Sequence, residues 1–262
     1  ISKGFFFLKN LNLKNYNSIS RYKKKLNIKS YLSKDFKFKK SIKIHYIEHH
    51  LAHIASAYYP SNYKDATGLS IDGSGDFVTL AIAKCHNHKI KIIEKVFFPN
   101  SLGIFYHAMT QFLGFKNYGD EYKIMGMAAY GEPRYFDKIK DNLFKLSKNN
   151  SFELNLHYFN HQKNNFKYVA DESLIIDDIF NKNLSSLFIN ELSDDHNKGQ
   201  FQKDFACSVQ KTYEYFFIKI LKKIKNFKFS ENLVFAGGCA LNSSANRILT
   251  NDKKYFENIY IP

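Results

Sequence analysis

At 262 residues the chain is long enough to bury a substantial core in about one or two domains. Its apolar content is ordinary, no apolar run reaches membrane-spanning length, and ISKGFFFLKN at the start lacks the order of a signal peptide, so the expectation is a soluble, cytoplasmic protein with no membrane partner. Cys85, Cys207 and Cys239 lie far apart with no CxxC pair, which excludes a disulfide framework and a cysteine-rich zinc site, while a lysine-dominated excess of 39 − 24 = 15 positive charges raises the question of an acidic partner.

The basic clusters are RYKKK at 21–25, KKSIK at 39–43 and KKIK at 222–225. They are spread along the chain, which favours a solvated lysine-rich surface over a nucleic-acid stripe. Along the chain, a short helix is expected around 18–33. KIHYIEHH alternates as a strand does, and LAHIASAYY follows with helical spacing up to Pro60. Three strand-like runs come next, at 66–72, 76–85 and 89–98, joined by GSG and HNH as an antiparallel meander. SLGIFYHAMTQFLG reads as a capped helix, FKNYGDEYKIMGMAAYGEP as a turn-rich segment, and 134–147 as a helix. Residues 148–200 mix short apolar runs with polar residues. DFACSVQKTYEYFFIKILKKIK at 204–225 is a long amphipathic helix with lysines near its C-terminal end. NLVFAGG is a buried strand leading into the helix CALNSSANRIL, and ENIYIP reads as a final strand. This succession predicts an α/β fold, a mixed sheet with flanking helices.

Four stretches carry chemistry. His49 and His53 stand four apart, so on a helix they project side by side and can share a cation such as Zn or Fe(II); ordinary core or surface histidines are the alternative. In SIDGSGD, Asp72 ends a strand, and Gly73 and Gly75 allow backbone amides to turn toward an anion; a simple Asp-Gly hairpin turn is the alternative. In VFAGGCALNSSAN, Gly237 and Gly238 between strand and helix open the backbone to a phosphate or ribose, or merely make a tight connection. In GDEYKIMGMAAYGEP, Lys123 is placed to meet phosphate and the carboxylates of Asp120 and Glu121 to hold a positive group, or all three belong to an ordinary charged loop.

EHHLAHIASAYYPS, SIDGSGD, FPNSLGIFYHAMTQFLGF with GDEYKIMGMAAYGEP, and DFACSVQKTYE with VFAGGCALNSSAN, in that order, resemble the N-terminal domain of the O-carbamoyltransferases of nodulation-factor and antibiotic biosynthesis. The resemblance covers roughly 44–135 and 204–262. It implies the actin-like ATPase (RNase H-like) fold and ATP-dependent carbamoyl transfer, through a carbamoyladenylate made from carbamoyl phosphate and ATP, to a hydroxyl of a sugar or natural product. Carried over residue by residue, it makes His49 and His53 ligands of a divalent metal, Fe or Zn, with magnesium accompanying ATP. Asp72, Gly73 and Gly75 would hold the phosphate side, Gly237, Gly238 and Asn242 would approach the adenosine, and Asp72 and Lys123 would serve catalysis. It places a third ligand, an aspartate, beyond Pro262, an early His/Asp hairpin before Ile1, and a carbamoyladenylate-forming domain after Pro262. The family's Pro/Arg segment before the DxAxSxQ helix is not matched by FINELSDDHNKGQFQKDF, so 148–203 is read as variable, with a role in acceptor recognition. Threonylcarbamoyl transfer to tRNA, carbamoyl transfer in hydrogenase maturation and a nonenzymatic nucleotide- or RNA-binding module are the competing readings. A homodimer is compatible with the sequence.

Overall fold

From Ala66 to Asp72 alternate residues face one side of the sheet, and this period decides where the chemistry goes. The computed structural model describes residues 28–36, 43–145, 152–163, 177–192, 198–250 and 255–262. It divides into two units, Ile1–Tyr46 and Ile47–Pro262. In the first, the described residues hold helix α1, Ile28–Asp35; the rest of the helix expected over 18–33 lies outside the described residues.

The second unit is built on a five-stranded sheet. Strands β1 (Asp65–Gly75), β2 (Val78–His86) and β3 (Lys89–Phe97) form the expected antiparallel meander. A small ladder, β4 (Phe144–Lys145) with β5 (Glu153–Leu154), stands apart from the main sheet. Strands β6 (Asn232–Ala236) and β7 (Asn258–Tyr260) then add parallel to β1, giving the order β3-β2-β1-β6-β7. Five strands ordered this way, with only the second antiparallel to the rest, form the mixed sheet of the actin-like (RNase H-like) α/β fold.

Helix α2, His49–Tyr58, covers one face. Ile54, Ala57 and Tyr58 pack there with Ala66, Ala81, Ala83, Val234 and Ala236. The small residues let the helix sit close: a methyl group on Gly68 would stand 2.7 Å from Ile54 Cγ2. Ile54 is fully buried at this contact, so truncation to alanine should cost about 2–5 kcal/mol. On the other face, Leu69, Ile71, Leu80 and Ile82 join the larger core. Two helices supply most of its partners: α3, Leu102–Phe112, and α8, Lys198–Asn226, whose Phe205, Val209, Phe216, Ile220 and Ile224 recur at helical spacing. Between them in the chain lie α4 (Glu121–Ala128), α5 (Phe136–Leu143), α6 (Lys182–Leu187) and α7 (Ile189–Leu192); α9, Ser243–Thr250, follows β6. Among the described residues no helix is long and apolar enough to cross a membrane.

Several expectations are corrected. Residues 43–48 form no strand; Glu48 is the extended residue before α2, and alternation alone supplies no neighbouring strand to pair with. GSG is not the hairpin turn: β1 runs through Gly75, and the turn is Asp76–Phe77, both with positive φ of 51° and 64°. FKNYGDEYKIMGMAAYGEP contains α4, which its glycines disguised; Gly126 lies within the helix with open space where a side chain would be. CALNSSANRIL starts with a 3-10 turn, Gly238–Leu241, and becomes α-helical only at Ser243.

The DFACSVQ stretch of α8 anchors the segment after α4. Asp204 Oδ1 accepts from the Glu132 amide at 2.8 Å, and Ser208 Oγ accepts from the Tyr135 amide at 2.9 Å. A methyl on Gly131 would lie 2.1 Å from the Lys203 carbonyl oxygen, so only glycine allows this approach.

Candidate metal and nucleotide site

Helix α2 meets β1 in register. Ile54 lies over Gly68, His50 over Ser70, and His49 and His53 over Asp72, all on the same face of the strand. The helix has no side-chain cap from Glu48; instead the His49 amide donates to Asp76 Oδ2 at 3.0 Å, so the β1–β2 turn holds the helix start. Glu48 itself pairs with Lys95 on β3.

The three histidines divide into two kinds. His50 is fully buried, with Nε2 2.8 Å from the Val78 carbonyl oxygen and Nδ1 2.8 Å from Ser70 Oγ. A carbonyl only accepts, so Nε2 carries the proton and Nδ1 accepts from the serine hydroxyl. Burial, outweighing the bond to Val78, holds its pKa below the usual histidine range and keeps the ring neutral. His50 is therefore a core residue with both nitrogens satisfied.

His49 and His53 point together toward Asp72, near the end of β1. Their Nε2 atoms are 3.0 Å apart, and Asp72 Oδ2 lies 2.8 Å from the first and 3.3 Å from the second. All three side chains are partly exposed. One ligand atom from each lies within 4.8 Å of the others. Two imidazole nitrogens at this distance can share only one proton, and both also face the same carboxylate oxygen. A cation at the usual ~2.1 Å from N and O ligands has ligand-to-ligand edges of about 3.0–3.4 Å, so the donor set fits a metal without rearrangement. Two imidazoles and one carboxylate are the set common at nonhaem iron and also acceptable to zinc.

Neighbouring backbone shapes the cluster. A methyl on Gly75 would fall 2.0 Å from His49 Cδ2, so the ring occupies the place of a side chain. Gly238 donates its amide to Asp72 Oδ1 at 3.2 Å, and a methyl there would stand 2.8 Å from that oxygen. Gly237 takes φ +97°, and a methyl would meet the Ile71 carbonyl oxygen at 2.3 Å. Ser101 caps α3 by accepting from the Ile104 amide, and its hydroxyl donates to the Gly73 carbonyl oxygen at 2.7 Å. Gly73 itself has open space around its Cβ position. Burial of Asp72 opposes ionisation, but hydrogen bonds from His53, His49 and the Gly73 backbone outweigh it and hold the carboxyl well below its usual range.

The structure thus joins His49, His53, Asp72, Gly75 and Gly238 around one carboxylate, with Gly73 and Gly237 shaping the approach. Asp72, expected on the phosphate side, presents a third donor atom to the histidine pair. The period of β1 was the available signal, because Ser70 and Asp72 share a face; which helix covers that face was not in the sequence.

Asn242 is differently employed. Its Oδ1 accepts from the Ala245 amide at 3.0 Å and from Gln210 Nε2 at 3.1 Å, and its Nδ2 donates back to Gln210 Oε1 at 3.1 Å. Gln210 also accepts from the Tyr106 hydroxyl at 2.9 Å. Asn242 is 7 % exposed, and these bonds make it a brace for the loop. Lys123 pairs with Asp120 at 2.8 Å and lies over the Phe115 ring. Glu121, its neighbour in the same motif and expected with Asp120 to hold a positive group, is held by His107 Nδ1 at 2.6 Å; His107 was not singled out from the sequence.

A family model described as the carbamoyltransferase N-terminus matches residues 8–262. Among curated relatives, an uncharacterized protein of Synechocystis is 36% identical over 82% of this chain and 33% of its own length. The nodulation protein NolNO of Sinorhizobium fredii is 26% identical over 84% of this chain and 29% of its own. The chain thus spans about a third of the length of these relatives. Among solved structures, HypF of T. kodakarensis overlays on 88% of this chain and 36% of its own, with TM-score 0.38 and 12% identity, a likeness too slight to argue from.

Proposed function

The chain belongs to the carbamoyltransferase N-terminal family, and from that premise we propose that it carries the transfer site of an ATP-dependent O-carbamoyltransferase acting on a hydroxyl of a sugar or natural product. The observation that carries the reading is the convergence of His49, His53 and Asp72 beside the Gly238 amide.

In the reaction an acceptor R–OH attacks the carbamoyl carbon of carbamoyladenylate. The new C–O bond forms, the C–O bond to the phosphate breaks, AMP leaves with its electron pair, and the hydroxyl proton is released. Leaving-group charge therefore develops on a phosphate oxygen, and stabilising it is the main task of such a site. The ion pairs of Asp72 are with histidines, so the carboxylate alone would repel a phosphate. His49, His53 and Asp72 would hold a divalent metal, which would supply the missing positive charge as a Lewis acid. His49 and His53 are fixed for this work by their helix, whose start is held by Asp76, and by the glycine at position 75. Asp72 is kept ionised and oriented, with Oδ1 on the Gly238 amide and Oδ2 toward the histidines. The positive φ of Gly237 brings the GGCALN loop against the end of β1, where an adenylate would meet backbone without a Cβ in the way. The Gln210–Asn242 amide pair holds that loop in place.

The test is made on the full-length protein, with carbamoyl phosphate and ATP. His53→Ala and Asp72→Ala should abolish transfer to a hydroxyl acceptor while carbamoyl-phosphate-driven ATP/pyrophosphate exchange persists. Unchanged transfer in either variant contradicts the proposal.

A further inference from the structure

Gly103, Tyr106 and His107 recur at i, i+3 and i+4 along α3 and share one face. That face begins against the end of β1: a methyl on Gly103 would stand 2.8 Å from the Gly73 nitrogen and 2.9 Å from the Asp72 carbonyl carbon. About one turn further on, His107 Nδ1 meets Glu121 Oε1 at 2.6 Å. The same face meets the GGCALN loop: the Tyr106 hydroxyl donates to Gln210 Oε1 at 2.9 Å, and Asn242 of that loop donates to the same oxygen at 3.1 Å. The His107–Glu121 pair is therefore a neighbour of the same loop that receives Asp72, although nothing in the transfer step so far uses it.

Its chemistry is one-sided. Burial works against ionisation of Glu121, yet the bonds from His107 and from backbone amides hold its carboxyl below the usual range. An ionised carboxylate only accepts, so in the neutral imidazole Nδ1 donates and the lone pair sits on the other ring nitrogen. That atom, His107 Nε2, is buried with no hydrogen-bond partner, in a side chain only 7 % exposed. Glu121 is partly open to solvent. What the pair still offers is acceptors, so the matching ligand must bring donors. Beside it stands Tyr118, 65 % exposed with its ring 6.2 Å from that of His107, an apolar plane at the edge.

We propose that Glu121, positioned by His107, binds the vicinal diol of a sugar ring in the transfer site. The proposal rests on the carbamoyl-transfer reading above. Two sources carry this chemistry, the ribose of the adenylate and the sugar acceptor, and the test separates them.

Binding of AMP, 2′-deoxy-AMP, 3′-deoxy-AMP and methyl glucoside to the full-length protein is measured by titration calorimetry for wild type, Glu121→Gln, His107→Phe and His107→Gln, with circular-dichroism melting to establish folding. Loss of a hydroxyl bonded to a charged acceptor should weaken binding about tenfold or more. If the diol is the ribose, wild type prefers AMP over both deoxy analogues by that factor, Glu121→Gln and His107→Phe bring the ratio near one, and His107→Gln, whose amide still donates to Glu121, keeps most of it. If the diol belongs to the acceptor, the three nucleotides bind alike and Glu121→Gln instead loses the glucoside. A folded Glu121→Gln that keeps both the wild-type nucleotide preference and glucoside binding overturns the proposal. Failure of wild type to bind any of the nucleotides counts against the adenylate reading instead, and the glucoside comparison then decides the role of Glu121.

Discussion

Replacing Gly75 with alanine tests the site through geometry alone, because no donor atom is removed. The new methyl would fall 2.0 Å from His49 Cδ2, whereas ordinary contact begins at 3.4 Å, so ring and methyl must separate by 3.4 − 2.0 = 1.4 Å. His49 is 39% exposed, which gives the ring room to swing outward. The backbone at Gly75 is not in the left-handed region, so alanine adds no φ strain. Overpacking of this kind costs about 1–3 kcal/mol, and for a domain of this size that lowers Tm by roughly 3–10 °C. A movement of 1.4 Å is half of the present 2.8 Å between His49 Nε2 and Asp72 Oδ2, enough to take the imidazole out of ligand reach. Gly75→Ala should therefore fold, melt slightly early and lose its metal, as read by thermal melting and by metal analysis after desalting. Full metal content with wild-type melting would refute the placement of His49 against β1.

Three further outcomes are expected. His50→Leu strips the partners from the Ser70 hydroxyl and the Val78 carbonyl and should destabilise by about 1–3 kcal/mol, yet retain metal, in contrast to His49→Ala; denaturant melts with metal analysis check both halves. Gln210→Leu leaves Asn242 and Tyr106 short of partners in the core and should cost about 2–4 kcal/mol in the same assay. Glu121 has a folded pKa below its unfolded value, so it adds stability that is fully present above about pH 4.3 and is lost as pH falls through the folded value; Glu121→Gln should flatten that part of the acid limb of a Tm-against-pH curve, and an unchanged limb would argue against the His107 bond.

Much of the fold was readable because its signals are local. The meander announces itself by three β-rich runs with short links, and α8 by an apolar stripe long enough to define a face. The spacing of His49 and His53 on a helix was readable for the same reason. What escaped depends on partners distant in sequence. Alternation in 43–48 resembled a strand with no neighbour to pair with, and α4 hid behind Gly119 and Gly126. Asp72 meets the histidines only because α2 crosses the face of β1 that carries even-numbered residues, a fact of tertiary packing. Asn242, placed on the adenosine side by resemblance, bonds Gln210, 32 positions away, a partner its own motif does not reveal. In the GDEYK motif the charge turned toward α3 is Glu121, whereas Lys123 is occupied by Asp120.

The proposed transfer site places one divalent metal on His49, His53 and Asp72. Its most direct test is metal stoichiometry of the full-length protein and of His49→Ala, His53→Ala and Asp72→Ala, measured by inductively coupled plasma mass spectrometry after purification without chelator. About one iron or zinc per wild-type chain, falling to near zero in each folded variant, is the predicted result. Equal metal content in wild type and all three variants would contradict it.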